Sequence, residues 1–368
     1  MKETLSAFEV HVLVNELNEQ LQKSKIEQIY LLEDKDLIIQ FHIPSVGKKI
    51  LRAKVPDFFY LTNQKPETPA TPHGFCLFLR KYLKQARLQE VKQLEFERII
   101  NLIFQAKEKT YQLLLEFIPP GNIILCDAEN KVLSPLETQQ WKDRTIRGGV
   151  QYTYPKKERS FLALDEKELN ELIETSKKDS LVKILALDLG LGGEYAEYLC
   201  REAKLEKTKK LLSREEVKEL YHCIQQLKKK RICPIITKQR EIYPFALMEE
   251  AEPAKTTTFS EALDSILTTK VEKKKQTEQE LVLKKTSDKQ QKIVEMQKLN
   301  KLRLEQEYEF FQRKGELIYQ NYLLVRDILE QLKEARKTMS WQEIKGKLTA
   351  HKIIKQINEK DNEIIVEL

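Results

Sequence analysis

The hydrophobic pattern at the start of the chain changes from helical to strand-like spacing. Five apolar residues fall on one broad face and predict a helix over residues 5–23. They are Leu5, Phe8, Val12, Val14 and Leu17. Short apolar and β-branched runs follow, and the polar breaks between them predict separate strands. These runs are Ile26–Leu32, Asp36–His42, Lys49–Val55 and Phe58–Thr62.

The pattern that follows completes one mixed domain. A Pro-rich loop at residues 64–72 precedes a helical segment at Phe75–Leu83. Three more strands are predicted, with a turn at Pro119–Asn122 before the last one. They are Glu95–Gln105, Thr110–Ile118 and Asn122–Asp127. The sequence therefore predicts an α+β fold, whose N-terminal domain is a mostly antiparallel sheet that closes near Tyr154. Short helices are predicted over residues 164–250.

A heptad pattern marks the chain beyond Phe259. Apolar positions repeat with 4-3-4-3 spacing, interrupted only by Gly315, which is typical of a left-handed coiled coil. The simplest arrangement is an antiparallel hairpin that turns near Thr286-Ser287-Asp288, and the alternative is one straight helix that pairs in trans. The seam positions are Leu304, Tyr308, Phe311, Gly315, Ile318, Tyr322, Val325, Leu329 and Leu332.

The end of the chain has a different pattern. Residues Trp341–Ile357 predict a helix, and Glu363–Leu368 alternates like a strand. Because a lone strand needs a sheet to join, we expect the 368 residues to be a fragment of a longer protein.

Composition narrows the class of protein. A length of 368 residues predicts two or three domains. The charged fraction of 33% is above the usual quarter and predicts that part of the chain is long solvated helix. The net charge of +7 is spread as +2, +2 and +3 over residues 1–155, 156–250 and 251–368. This even spread argues against a protein that coats nucleic acid through bulk charge. Local basic clusters lie at residues 201–214 and 228–231, where the alternative is a solvated helix face.

The sequence shows no catalytic or cofactor motif. The five His and five Cys are scattered, without metal-ligand spacing or a Cys-x-x-Cys pair, and no phosphate-binding or nucleophile loop is present. We therefore expect no metal and no cofactor, and the missing motifs make an enzyme less expected without excluding a catalytic site assembled in space. No signal peptide and no apolar run of membrane-spanning length occur, so a cytoplasmic protein is expected.

One local motif points to phosphate. Gly190, Gly192 and the later Ala196 fit the helix-hairpin-helix pattern, in which the glycines let the backbone approach a ligand. The next helix then presents its N-terminal N–H groups to a phosphate. We expect Gly190, Gly192 and Gly193 to contact an RNA backbone, with Arg201 and Lys204 contributing from just downstream. The alternative is a turn between helices that binds nothing.

Several motifs together resemble the NFACT family, which includes the fibronectin-binding-protein-A-like proteins and nuclear export mediator factor. Each is weak alone, but they occur in the family's order over nearly the whole chain. They include Phe8-Glu9, Leu79-Arg80-Lys81, Gln93, Phe96-Glu97-Arg98, Gly121-Asn122, Arg144, Gly192-Gly193-Glu194-Tyr195 and Ser340-Trp341.

The resemblance implies an NFACT-N domain at residues 1–160, similar in fold to the N-domain of formamidopyrimidine-DNA glycosylases. It implies a helix-hairpin-helix domain at 161–250, a coiled-coil middle domain at 258–340, and at 341–368 the start of a linker towards a missing NFACT-R domain. Family members bind a large ribosomal subunit obstructed by peptidyl-tRNA. They hold a charged tRNA while the ribosome adds an untemplated, alanine-type tail to the stalled chain.

The resemblance also assigns residues. The acidic and basic positions needed for tailing match Glu9, Glu97 and Arg98, where the family has Asp at both acidic positions. Arg80, Lys81 and Arg144 are further expected tRNA contacts. For Arg80 and Lys81 the alternative is a pair of charges at a helix C-terminus, which the helix dipole favours. The coiled coil is expected to reach ribosomal RNA or stalk-base proteins.

Three rival functions are compatible with parts of the sequence. A DNA glycosylase would share the fold of the first domain, but those enzymes use an N-terminal Pro amine where this chain has Lys2. An adhesin would need an export signal. An RNA-binding or coiled-coil adaptor without tailing activity is the third.

Overall fold

The computed structural model describes most of the chain, in two compact units. The described residues are 4–44, 46–69, 71–142, 144–154, 159–247, 252–254, 256–348, 352–358 and 363–368, with the backbone alone over 269–288. The first unit is Met1–Glu272 and the second is Lys273–Leu368. The predicted domains 1–160 and 161–250 thus both lie in the first unit, and the predicted coiled-coil domain contributes to both units.

A nine-stranded antiparallel sheet dominates the first unit. Its order is β4-β3-β2-β1-β5-β6-β7-β8-β9, and β1 meets β5 through the pair Lys25 and Arg87. The predicted α+β class is therefore confirmed. The strands are β1 Lys25–Leu31, β2 Asp36–Ile43, β3 Gly47–Lys54, β4 Phe58–Thr62, β5 Arg87–Gln93, β6 Ile99–Ala106, β7 Lys109–Glu116, β8 Asn122–Asp127 and β9 Val132–Pro135.

Two helices accompany this sheet. Helix α1 (Ala7–Leu21) starts with a capping box, in which the Ser6 hydroxyl accepts from the Glu9 amide while the Glu9 carboxylate accepts from the Ser6 amide. Helix α2 (Gly74–Leu83) packs against β1 and β6, and its Cys76 thiol donates to the carbonyl of Ile29 in β1. Both helices bury an apolar face in one continuous core with the sheet.

Three details of the sheet differ from the sequence prediction. Strands β5 and β9 were not predicted, because the alternation of buried and polar residues in β5 is short and β9 has only four residues. Strand β6 begins at Ile99 and not at Glu95, because Glu95 and Phe96 have positive φ angles of 47° and 55° that a strand cannot hold. The turn predicted at Pro119–Asn122 is confirmed. Gly121 is required there, since its φ is +76° and a Cβ would lie 2.6 Å from Val55 Cγ1.

Short helices follow the sheet, as predicted, and share its core. They are α3 Glu166–Thr175, α4 Leu181–Lys183, a π-helical turn Ile184–Asp188, α5 Gly193–Glu202 and α6 Arg214–Lys228. Small strand pairings complete the unit: β10 Gln139–Gln140 with β11 Thr145–Ile146, and β12 Ile235–Ile236 between β13 Ile242–Tyr243 and β14 Glu252–Pro253.

The long helix α7 (Phe259–Gln320) begins on this unit. The carboxylate of Glu16 in α1 accepts hydrogen bonds from the amides of Phe259 and Ser260, at 2.7 and 2.9 Å. The Ser260 hydroxyl in turn accepts from the amide of Leu61 in β4, at 2.7 Å. These bonds satisfy donors that an α-helix leaves open at its N-terminus.

The hairpin turn predicted at Thr286-Ser287-Asp288 is wrong. The backbone of α7 is helical through these residues, because no Pro or Gly lies between Pro253 and Gly315 and three polar residues alone do not end a helix. The seam residues Leu304, Tyr308, Phe311 and Ile318 are 46–69% exposed. The backbone thus agrees with one continuous helix, as in the alternative, and the pairing of that helix in trans stays a prediction.

The second unit ends in a small mixed cluster. Helices α8 (Tyr322–Thr338) and α9 (Trp341–Leu348) pack on the hairpin formed by β15 (Ile354–Asn358) and β16 (Glu363–Val366). The predicted helix over Trp341–Ile357 is therefore wrong in its last part, where β-branched Ile353, Ile354 and Ile357 favour a strand. The predicted terminal strand is present, and β15 is its partner.

Candidate functional site

The two residues that the resemblance assigns most strongly, Glu97 and Arg98, lie in the turn between β5 and β6. The Glu97 amide donates to the Leu94 carbonyl at 2.7 Å, and the Arg98 carbonyl accepts from the Phe117 amide at 2.7 Å. Phe96 opens the turn in a left-handed conformation, which is unfavourable for a bulky residue. Its ring is 1% exposed and packs 4.6 Å from that of Phe161, so burial offsets the strain.

Gln93 ties this turn to the start of α1. Its side-chain amide donates to the carbonyl of Ala7 at 2.8 Å and to the carbonyl of Glu97 at 2.9 Å. Its oxygen lies 3.2 Å from Nδ1 of His11, whose Nε2 lies 3.2 Å from the Asn15 amide nitrogen. Burial lowers the pKa of His11, and the hydrogen bond with Gln93 opposes this shift. The neutral imidazole is thus favoured beside the turn.

Glu9 is fully buried and joins α1 to α5. One carboxylate oxygen accepts from the Ser6 amide at 2.8 Å, and the other accepts from the Tyr195 hydroxyl at 3.0 Å. Burial, with the Glu9 carboxylate as the next cause, raises the pKa of Tyr195 well above its ordinary value. A direct contact between Glu9 and tRNA, as predicted, is not open to a side chain with no exposed surface. Its position instead fixes α1 against α5.

The glycine motif adopts the backbone that its sequence requires. Gly190 and Gly192 have φ angles of +73° and +85°, a region that favours glycine. The π-helical turn Ile184–Asp188 immediately precedes this bend. The Gly192 amide donates to the carbonyl of Ala186, within that turn, at 3.1 Å. Gly192 is the N-cap of α5 and has no side chain, so no side-chain cap covers this helix end.

One cleft of about 490 Å³ brings the two predicted sites together. The Glu97-Arg98 turn forms part of its lining, and the glycine bend with the first residues of α5 forms another part. Residues 4–7, just before and at the start of α1, complete it. Sequence separation had given no sign that positions 98 and 190 share a surface. The lining residues are Thr4, Leu5, Ser6, Ala7, Glu97, Arg98, Ala186, Leu187, Gly190, Gly192, Gly193 and Glu194.

The charges in this cleft are mixed. Arg98 is partly buried, and within the described ranges no carboxylate forms an ion pair with its guanidinium. Burial lowers the pKa of Arg98, and the nearby Glu97 opposes this shift. Glu194 accepts a hydrogen bond from the Tyr243 hydroxyl at 2.6 Å. A guanidinium suits a phosphate, whereas the carboxylates accept hydrogen bonds from ribose hydroxyls or base amino groups. The cleft is therefore chemically suited to a nucleotide.

Two other predicted contacts do not line this cleft, and their guanidinium groups bind to other groups of the chain. Arg80 donates from Nε to the Ile29 carbonyl at 2.7 Å. Arg144 pairs with buried Glu116 at 2.8 Å, and Tyr152 donates to the same carboxylate at 2.6 Å.

The remaining predicted contacts, Lys81, Arg201 and Lys204, are exposed. Lys81 lies over the ring of Tyr82. Arg201 lies in the last turn of α5, about 12 Å along the helix axis from its first residue, and donates to the Leu247 carbonyl. Lys204 follows the helix in a left-handed conformation. Arg201 and Lys204 thus lie at the opposite end of α5 from the glycine bend, and their contact with the same RNA backbone stays a prediction.

Two structural residues at the site were not predicted as such. Tyr195 and Gln93 had been noted only as part of family motifs. Nothing in the sequence around Tyr195 indicates that its hydroxyl contacts Glu9. Phe96 was likewise unremarkable in sequence, since only the positive φ reveals its role.

The described part of the chain meets neither the requirements of a metal site nor those of a membrane-spanning helix. No group of three or more His, Cys, Asp or Glu side chains in the described ranges is arranged to hold a metal ion. No helix in these ranges combines the length and the apolar character that a bilayer crossing needs.

Comparison with protein families gives a match over almost the whole chain. The model of the NFACT N-terminal and middle domains matches residues 6–360.

Curated relatives agree. The chain is 28% identical over 396 residues to "Archaeal Rqc2 homolog aRqcH" of Methanocaldococcus jannaschii, a match that covers 100% of this chain and 58% of that protein. It is 26% identical to "Rqc2 homolog RqcH" of Bacillus subtilis, over 85% of this chain and 58% of that protein. It is 26% identical to human "Ribosome quality control complex subunit NEMF", over 62% of this chain and 22% of that protein. The chain thus spans less than two thirds of these relatives.

Solved structures show the same fold. The N-terminal part of the fibronectin/fibrinogen-binding protein from Streptococcus suis superposes with a TM-score of 0.59 at 20% identity, over 72% of this chain and 99% of that one. The fibrinogen-binding protein from Staphylococcus aureus gives a TM-score of 0.57 at 15% identity, over 70% and 97%.

Proposed function

The chain belongs to the NFACT family, and from this membership we propose that it is a ribosome quality-control factor. It binds a large ribosomal subunit obstructed by peptidyl-tRNA and holds a charged tRNA for untemplated, alanine-type tailing of the stalled chain. The names of its archaeal, bacterial and human relatives support the quality-control role. Tailing and the holding of tRNA are the finer part of the proposal.

The observation that carries this proposal is the shared cleft. Arg98 is a partly buried cation without an ion-pair partner in the described ranges, and it faces the same space as the glycine bend before α5. A phosphate there meets a guanidinium and the positive end of a ten-residue helix. Glu97 and Glu194 add acceptors for ribose or base groups. Such contacts position an RNA end without reading its sequence.

Glu9 has a positioning role in this proposal. It lies beneath the cleft and connects α1 to α5 through Tyr195, so it sets the distance between the Glu97-Arg98 turn and the glycine bend. Substitution of Glu9 would then weaken tRNA binding through the shape of the cleft and not through a lost contact.

The chain does no bond chemistry of its own in this proposal. Peptidyl transfer belongs to the ribosome, and the protein contributes by holding the tRNA. In the cleft, the Ser6 hydroxyl caps α1, and the Glu194 carboxylate accepts from Tyr243. Both side chains thus form hydrogen bonds that hold the walls of the cleft, which supports a role in binding.

The test is tRNA binding by Arg98→Ala and Glu97→Ala variants. We expect Arg98→Ala to weaken retention of charged tRNA on purified obstructed large subunits by about tenfold to a hundredfold, which corresponds to the loss of one or more charge-assisted hydrogen bonds. The free energy of unfolding should stay within about 0.5 kcal/mol of wild type, since no ion pair is broken. Both variants should abolish tailing in a reconstituted assay.

Arg147→Ala is the matched control. Arg147 is exposed, lies outside the cleft lining and should retain tRNA like wild type. Wild-type tRNA retention and tailing by the Glu97 and Arg98 variants would refute the site. Failure of the wild-type protein to sediment with large subunits would refute the function as a whole. Binding to large subunits without tailing would support the alternative, an RNA-binding or coiled-coil adaptor that has no tailing activity.

A further inference from the structure

A second polar groove lies on the first unit, apart from the cleft. It has a volume of about 640 Å³ and is formed by β1, β2 and β3, the segment after β4, and the end of α2. It shares no lining residue with the cleft that holds Glu97 and Arg98.

Cations outnumber anions in this groove. Lys48, Lys65 and Lys84 contribute three ammonium groups, and all three residues are exposed. Glu27 is the acidic residue of the lining, and its carboxylate already accepts from the Gln40 amide at 2.5 Å and lies 3.7 Å from Lys48 Nζ. Lys65 and Lys84 form no ion pair in the part of the chain that the structure describes. The groove therefore presents a net positive surface with two available cations.

Side-chain amides lie between these cations. Gln28, Asn63 and Gln85 line the groove, and in the described ranges none of their side-chain amides has a hydrogen-bond partner within the chain. Each amide offers two donors and one acceptor. This is the combination with which Asn and Gln bind the edges of nucleobases.

Tyr30 helps to place one of the cations. The Lys65 ammonium donates to the Tyr30 hydroxyl at 3.1 Å and lies 4.6 Å from the ring centroid. The Arg80 guanidinium lies 5.1 Å from the same centroid and is fixed by its bond to the Ile29 carbonyl. The partly buried ring thus orders Lys65 at the rim of the groove.

We propose that this groove binds a single-stranded segment of RNA. Lys65 and Lys84 bind its phosphates, and Gln28 and Gln85 accept and donate hydrogen bonds at base edges. Single-stranded segments suit the site because their bases are splayed out and their edges are open, whereas an A-form duplex hides them. The acidic side chains of a peptide would meet the lysines through carboxylates that only accept hydrogen bonds, whereas a base edge both donates and accepts, as the three amides do.

The inference does not rest on the proposed function. Binding of RNA to this groove requires only Lys65, Lys84 and the amides, and it can be measured without ribosomes or tailing. All variants are made in the Arg98→Ala background, so that the cleft contributes equally to each. Failure of one proposal is then distinguishable from failure of the other.

The experiment measures fluorescence anisotropy of a labelled, unstructured RNA oligonucleotide over a range of salt concentrations. We expect Lys65→Ala/Lys84→Ala to weaken binding and to reduce the slope of log K against log salt by about 1.4, because single strands contribute about 0.7 for each neutralised phosphate. Lys109→Ala/Lys167→Ala is the matched control. Both of its lysines are exposed and outside the groove, and its slope should equal that of the parent.

A second comparison tests the amides. Gln28→Ala should weaken binding of the RNA but leave binding of an abasic oligomer of equal length unchanged, since only the bases meet Gln28. Equal salt slopes for the two lysine pairs would overturn the proposal. So would a poly-glutamate peptide that competes as well as RNA of equal charge while Gln28→Ala has no effect, since the groove would then be an acidic-peptide surface.

Discussion

The hydroxyl of Tyr195 donates a hydrogen bond to the carboxylate of Glu9 across 186 positions of sequence, at 3.0 Å. Both side chains are fully buried. The bond fixes α5, which follows the glycine bend, to the first turn of α1. Because Ser6 and Ala7 of that turn line the cleft together with the bend, the geometry of the candidate site depends on it.

Replacement of this hydroxyl should therefore destabilise the first unit. We expect Tyr195→Phe to lower the free energy of unfolding by about 1.5–3 kcal/mol, because a buried carboxylate loses a hydrogen-bond donor. Urea denaturation followed by tyrosine fluorescence measures the change. Tyr221→Phe is the control, since the Tyr221 hydroxyl has no hydrogen bond in the described ranges. Equal losses in both variants would show that the Glu9 bond contributes nothing.

Arg144 should be structural rather than accessible to a ligand. Its guanidinium pairs with Glu116, which is 2% exposed, so Arg144→Ala leaves a buried carboxylate without its cation. We expect a loss of about 3–5 kcal/mol in the free energy of unfolding, whereas the exposed Arg147→Ala should change it by less than about 0.5 kcal/mol. Adding Glu116→Gln to the Arg144 variant should restore part of the loss. A harmless Arg144→Ala would contradict the buried pair.

Glu16 gives the protein a testable pH dependence. Burial raises its pKa above the ordinary 4.5, and the hydrogen bonds from Ser260 and Phe259 oppose this shift. A raised pKa in the folded state means that the contribution of Glu16 is fully present below 4.5 and is lost as the pH rises through the folded value. The free energy of unfolding of wild type minus that of Glu16→Gln should therefore fall as the pH rises from 4.5.

Urea titrations at a series of pH values measure this difference. Glu108→Gln, an exposed change in the turn between β6 and β7, is the control. A difference that grows with pH would contradict the sign. Hydrogen exchange of the Phe259 and Ser260 amides should also speed up in Glu16→Ala, because the cap that holds them is removed.

The continuity of α7 can be tested at the position where a turn had been predicted. Ser287→Pro removes an amide donor and introduces a clash in a helix interior, at a cost of about 3 kcal/mol or more. We expect a clear loss of helical signal in far-ultraviolet circular dichroism and new proteolytic cleavage nearby. Ser287→Ala should leave both unchanged. If Ser287→Pro kept full helicity, the segment would be a turn after all.

The sequence predicted the elements of the fold better than their ends. Strands β1 to β4 followed from apolar runs between polar breaks. Strands β2 and β4 are buried on both faces, and β1 and β3 are buried in part. The start of β6 was misplaced because nothing in the sequence of Glu95 and Phe96 signals a left-handed backbone. Burial of the Phe96 ring and the hydrogen bonds to Glu97 stabilise it. The hairpin in α7 was an inference from heptads, which specify a seam but not what covers it.

The site residues were identified through family resemblance, and their arrangement required the structure. Glu97, Arg98 and the glycines at 190 and 192 were named from motifs, yet their common cleft depends on packing between α1, α5 and the β5–β6 turn. Arg144 shows the limit of the same reasoning. A motif position can be retained for a buried ion pair as readily as for a ligand, and only the position of Glu116 distinguishes the two.

The first fifteen helical residues have a consequence for how the protein comes apart. Helix α1 holds the β5–β6 turn through Ala7, helix α5 through Glu9, and the start of α7 through Glu16. Melting α1 would release all three attachments at once. We expect residues 1–272 to give a single calorimetric transition, with equal van't Hoff and calorimetric enthalpies, even though the sequence divides them near residue 160. Two resolved peaks for this unit would show that its halves melt independently.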